Sequence, residues 1–246
     1  MLELAIALSL GIGVLLGMLG GGGSVLLVPV LLSVLKLPTK TALATSQMVM
    51  AATTVVAMVL HARAGRVVFR TGVLFGLSGM AGSFLGGRLA HYISPSVLLS
   101  GFVVLMLASA IQMLRGSRKK TEPKSGAAWW LGMLVGFPTG LVAGMLGAGG
   151  GFLVVPALTI FGGLAMEQAV GTSLLVIAMQ AFAGSLGYLG HSTVDFHLVG
   201  MLASVMAVGS LGGAVLSQRV PAAFLRRLFA ALLIAVAIQM LVQTFF

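Results

Sequence analysis

A glycine cluster interrupts an unbroken apolar run, and the interruption occurs twice. The first copy reads Gly17-Met18-Leu19-Gly20-Gly21-Gly22-Gly23-Ser24, inside the run from Leu2 to Leu35, and Pro29 follows it. The second reads Gly144-Met145-Leu146-Gly147-Ala148-Gly149-Gly150-Gly151, with Pro156 in the matching place. A glycine in a helix interior costs about 0.5–1 kcal/mol relative to alanine, so a cluster breaks a helix. In hydrocarbon, the freed backbone groups survive only where protein or a water-filled cavity receives them. Paired broken helices in corresponding halves of a chain are the best sequence pointer to a transporter's binding site.

The surrounding chain supports that setting. Of its 246 residues 59% are hydrophobic and 7% charged, more apolar surface than a water-soluble fold can hide. The net charge of +10 does not indicate nucleic acid, because the basic residues lie in short connections between apolar runs. There are no cysteines, which excludes disulfides and thiolate metal sites. The amino-terminal stretch lacks a basic region and a small-residue cleavage site, so it reads as a retained membrane segment.

Apolar runs fall at Leu2–Leu35, Thr41–His61, Thr71–His91 and Val97–Leu114, then at Ala127–Phe161, Gln168–His191, Phe196–Gln218 and Phe224–Phe246. The organisation expected is a first membrane repeat over 1–114, a charged linker over 115–126 and a second repeat over 127–246. An offset of 127 maps one half on the other without a gap. Gly13, Gly17, Gly20 and Pro29 meet Gly140, Gly144, Gly147 and Pro156; Thr45-Ser46 meets Thr172-Ser173; Gly82-Ser83 meets Gly209-Ser210. The fold class is therefore an all-α polytopic membrane protein with about eight apolar segments in two homologous repeats.

Charge bears on their relative orientation. If each long first run crosses once, the halves are parallel and Lys and Arg divide 8 against 6. If each long run enters and leaves on one side, the division is 11 against 3, with only Lys36, Lys40 and Arg88 opposed. The positive-inside rule favours the second arrangement, hence inverted repeats. Each half would then hold a re-entrant helix pair broken at the glycines, plus three further spans. The basic stretches Arg63–Arg70, Arg115–Lys124 and Arg219–Arg227 would be cytoplasmic.

The candidate binding site is the pair of restarts. The first turn of a helix carries unpartnered N–H groups and the positive end of the dipole, and glycine lets a ligand approach that backbone. The residues singled out are Gly20, Gly21, Gly22, Gly23, Ser24, Gly147, Gly149, Gly150 and Gly151. The hydroxyls Thr45, Ser46, Thr172 and Ser173 and the amides Gln47 and Gln180 join them, and Pro29 and Pro156 are candidate hinges. Glycines at Gly13-xxx-Gly17 and Gly140-xxx-Gly144 equally suit close helix packing. Glu3, Glu122, Glu167 and Asp195 all fall in ends or connections, which disfavours a carboxylate proton relay. His61, His91, His191 and His197 lie at segment ends and form no ligand cluster, so no metal, cofactor or catalytic residue is expected.

Two copies of G-x-x-x-G-M-L-G-x-G-G-G/S-x-L/F-L/V-V-P-x-L, each followed by A-x-x-T-S, resemble the sulfite exporter TauE/SafE family, also described as a toluene-sulfonate uptake permease family. The resemblance covers the whole chain, repeat for repeat. It implies an inner-membrane protein, usually drawn with eight spans, that moves sulfur-containing anions such as sulfite, thiosulfate or organosulfonates. The matching positions are Gly20 to Ser24, Pro29, Thr45 and Ser46, and Gly147 to Gly151, Pro156, Thr172 and Ser173. Ser24 against Gly151 and Gln47 against Leu174 depart from the internal symmetry. The expected partners are a small anion and the lipid bilayer, with a homo-oligomer left open. A secondary transporter or facilitator is the first reading. The competing ones are an anion channel of the same architecture or a carrier of another small organic anion. No His-Glu-x-x-His, Ser-Lys or Gly-x-Ser-x-Gly arrangement marks an enzyme.

Overall fold

The computed structural model describes residues 2–21, 23–115, 128–147, 149–189 and 192–217, with scattered positions beyond 219. Among the described residues every regular element is an α-helix. Helix α1 (Leu2–Leu19) is followed by the ten-residue α2 (Ser24–Ser33), then α3 (Thr39–Arg63), α4 (Phe69–Leu89) and α5 (Pro95–Arg115). The series continues with α6 (Ala128–Leu146), the ten-residue α7 (Gly151–Ile160), α8 (Met166–Tyr188) and α9 (Phe196–Leu216). Arg115 still belongs to α5, and the rest of the expected 115–126 linker lies outside the described residues, as do Gly22, His191, Arg219 and most of the last apolar run.

Helices α3, α8 and α9 are each long and apolar enough to cross a membrane, and α1, α2, α5 and α6 contribute shorter apolar stretches. Leu77, Val104, Phe182 and Val208 are more than half exposed on helix surfaces, which suits lipid and not water. The chain is a multi-pass helical membrane protein. Helix α2 is roughly 15 Å long, about half the hydrocarbon thickness, and so is α7.

The bounds of α2 and α7 differ by 127 residues at both ends, and those of α4 and α9 do the same. Packing follows this offset across the halves. A Cβ on Gly17 of α1 would overlap the Ser210 carbonyl oxygen of α9, and one on Gly144 of α6 would overlap the Ser83 carbonyl oxygen of α4. Gly13 meets Met206 and Gly140 meets Gly79 in the same manner. Backbones that close leave no room for any side chain, the usual basis of helix association in lipid. Each half thus grips the other, and the glycine breaks lie inside the grip.

Candidate functional site

Helices α1 and α6 stop at glycines in the left-handed region, Gly20 with φ +69° and Gly147 with φ +65°. That conformation costs an L-residue about 1–2 kcal/mol, so the stop is built into the backbone. The chain restarts at Ser24 and at Gly151, and the two restarts touch. A Cβ on Gly21 would lie 2.6 Å from Gly151 Cα. Ile177 of α8 packs beside both breaks, its Cδ1 against Gly21 and its Cγ2 3.0 Å from the Cβ position of Gly149. The equivalent residue of α3, Met50, lies against Gly149 from the other side.

The polar side chains fall into two groups. Around the first break they are engaged. Gly23, not Ser24, holds the N-cap position of α2, and Ser24 Oγ donates to the Gly21 carbonyl at 2.6 Å. Ser173 Oγ donates to Val170 O at 2.8 Å and reaches Gly20 O at 3.3 Å. Thr172 Oγ1 accepts from Val68 N–H at 2.9 Å, which fixes the approach to α4. Around the second break they are largely unengaged. Gln47 Nε2 donates to Ala143 O at 2.8 Å, while Gln47 Oε1, Ser46 Oγ and both polar atoms of Gln180 have no partner. Thr45 is buried in the same helix. Pro29 and Pro156 sit inside α2 and α7, where Ser33 and Thr159 donate to their carbonyls.

Three residues without a site role in the sequence stand out. Ser83 of α4 is fully buried beside Gly144, with its hydroxyl unpartnered. Its recurrence as Ser210 was the available signal. His61 was read as a residue at a segment end, but it is buried, and its Nε2–H donates to Gly17 O at 3.0 Å. Tyr188, 127 residues on, donates its hydroxyl to Met145 O at 2.9 Å. Each long helix therefore ends on the carbonyls just ahead of a glycine break. His61 also lines a cavity with Met18, Leu19, Arg66 and Val170, and Gly20 packs on that same Val170. Among the described residues no three His, Asp or Glu side chains assemble as a metal-binding group.

The family model described as "Sulfite exporter TauE/SafE" matches residues 5–240. The chain belongs to that family. A relative from Xylella fastidiosa (strain 9a5c), named a probable membrane transporter protein, is 34% identical over 94% of this chain and 91% of its own length. A probable membrane transporter protein of Bacillus subtilis (strain 168), YdhB, is 26% identical over 87% of this chain and 90% of its own length. Another, from Methanocaldococcus jannaschii, is 25% identical over 80% of this chain. No solved structure matches the chain. As a TauE/SafE member it is a membrane transport protein.

Proposed function

We propose that this TauE/SafE protein is a secondary transporter or facilitator of small sulfur-containing anions, such as sulfite, thiosulfate or an organosulfonate, in a bacterial inner membrane. The observation that supports it most is the contact between the two glycine breaks at Gly21 and Gly151. Two short helices start there, and each start carries N–H groups and a positive dipole end without any cationic side chain. Such starts can replace part of an oxyanion's hydration shell in a low-dielectric interior. The broken pairs α1–α2 and α6–α7 then form re-entrant hairpins of two inverted repeats, in a scaffold of about eight apolar segments. Alternating access follows from one repeat rocking against the other. The basic stretches Arg63–Arg70, Arg115–Lys124 and Arg219–Arg227 face the cytoplasm.

The test is anion flux in proteoliposomes. Gly149→Val places a branched side chain at φ +62° against Ile177, and its saturable uptake of sulfite, thiosulfate and sulfonates falls below a tenth of wild type, about the tenfold expected from one lost charge-assisted contact. Gly200→Ala, on a face of α9 with open space around it, keeps full uptake. Equal flux through both variants refutes the site, and single-channel currents would turn the reading from carrier to pore.

A further inference from the structure

Seven buried side-chain polar atoms lack a hydrogen-bond partner among the described residues, and five of them belong to Ser46, Gln47, Ser83 and Gln180. All four residues are fully buried and flank the second break. Ser46 and Gln47 lie one turn beyond Leu43, against which Gly147 packs. Ser83 Oγ and Gln47 Nε2 converge on Gly184, where a Cβ would meet them at 2.6 and 2.9 Å. Gln180 Oε1 stands 3.1 Å from the Cβ position of Gly150, the N-cap of α7. Folded proteins pair nearly all their buried polar groups. Gln180 at the start of α7 and the Ser83–Gln47 pair at Gly184 are buried polar groups that a polar ligand would satisfy.

The internal offset supplies a control. Ser173, Ser210 and Thr53 occupy around the first break the places of Ser46, Ser83 and Gln180 around the second, and each is bonded. Ser173 donates to Val170 O, Ser210 to Ala207 O at 2.7 Å, and Thr53 to Ala203 O at 3.5 Å. Leu174 stands where Gln47 does. At these equivalent positions the first side is bonded and the second open; the two remaining unpartnered atoms, Ser9 Oγ and His61 Nδ1, lie on α1 and at its end.

We infer that the protein holds one anion site, set off from the meeting point of the breaks toward the second one, and that this site selects a singly charged oxyanion. Ser83, Gln47 and Gln180 form it together with the first amides of α7. The placement rests on the transport reading above. No cation joins the cluster among the described residues: Arg88, five residues beyond Ser83 on α4, is exposed and stacks on Phe84 at 5.1 Å. Neutral donors must then replace the whole hydration shell. The desolvation cost grows with the square of the charge, about fourfold for a dianion, while attraction to dipoles grows only about twofold.

The experiment is thermal stabilisation of the purified protein by methanesulfonate and by sulfate, which share a tetrahedral sulfur but differ in charge. Methanesulfonate stabilises wild type at lower concentration than sulfate. Ser83→Ala and Gln180→Met raise its half-effective concentration about tenfold or more, whereas Ser210→Ala and Thr53→Val change it less than about twofold. If Gln180→Met does not fold, Ser83→Ala against Ser210→Ala, one atom removed from each side, carries the comparison. Equal losses on both sides overturn the single site, and sulfate binding as tightly as methanesulfonate overturns the charge selection. If no sulfur anion stabilises or crosses with wild type, the transport reading falls too; if anions cross but the two sides respond alike, only this placement falls.

Discussion

The first and second glycine breaks share a backbone and differ in their surroundings. Both halt a helix at a left-handed glycine, and both restart a ten-residue helix that carries a proline at its sixth position. Both are flanked by helices of the opposite half, α8 and α9 for the first, α3 and α4 for the second. The first is closed by Ser24, Ser173 and Ser210, each bonded to backbone carbonyls. The second is faced by amides and hydroxyls that bond to little. The two breaks thus share a scaffold and differ in their linings. Symmetry belongs to the backbone contacts that hold the chain together, and asymmetry to the polar side chains beside them.

The largest effects should expose the symmetric part. Gly17→Val and Gly144→Val each drive a branched side chain into a carbonyl of the opposing helix, Ser210 in one case and Ser83 in the other. Neither backbone can retreat without separating α1 from α9 or α6 from α4. Each substitution is expected to cost more than about 3 kcal/mol, enough to remove most folded protein. Size-exclusion profiles and yield in detergent measure it. Similar losses sharpen the comparison. A tolerated Gly17→Val beside a lethal Gly144→Val would break it, because the scaffold itself would then be lopsided.

Next comes the pair that closes the long helices. His61→Phe leaves Gly17 O, and Tyr188→Phe leaves Met145 O, without the donor seen here. Each loss is expected to cost about 1–2 kcal/mol, read as a lower thermal midpoint. His61 also lines the cavity beside the end of α1, so its replacement alters flux as well, while Tyr188→Phe acts on stability alone. Equal flux changes in both would mean that the cavity plays no part in access.

Which of these features could be read in advance follows from what each depends on. The stops at Gly20 and Gly147 are local: a glycine cluster ends an apolar helix by itself, and the offset of 127 ties one stop to the other. The candidates Gln47, Gln180 and Ser46 were visible as polar groups in apolar runs that must face protein or water. Ser83 looked like one more small residue on a glycine-rich face. Its hydroxyl is unpaired while Ser210 bonds one turn back, and that depends on the neighbouring helix, here Gly184 against α4. Thr172 paired with Thr45 by sequence, yet its oxygen is taken by Val68 N–H. His61 sat at the edge of an apolar run, but α3 continues to Arg63 and the end of α1 closes over the ring. Local backbone breaks are written in composition, whereas hydrogen-bond occupancy is decided by contacts between segments more than a hundred residues apart.

The smallest expected effects concern how α4 and α9, equivalent helices, begin. Helix α9 caps itself: the exposed Asp195 carboxylate accepts from His197 N–H at 2.8 Å and Leu198 N–H at 3.2 Å. Its counterpart on α4 is Val68, which has no capping oxygen and borrows Thr172 Oγ1 from α8 instead. Thr172→Val therefore strands a partly buried N–H and loosens α4 from α8, at about 1–1.5 kcal/mol, while Asp195→Ala loses a solvent-exposed cap worth about 0.5–1 kcal/mol. Thermal midpoints in detergent rank the two, and flux separates their meaning. If the Thr172 hydroxyl only holds α4, both variants keep wild-type flux at temperatures where they are folded. A Thr172→Val protein that is stable but fails to move anions would put its hydroxyl on the substrate, and would give the first break a binding role that its bonded side chains otherwise deny it.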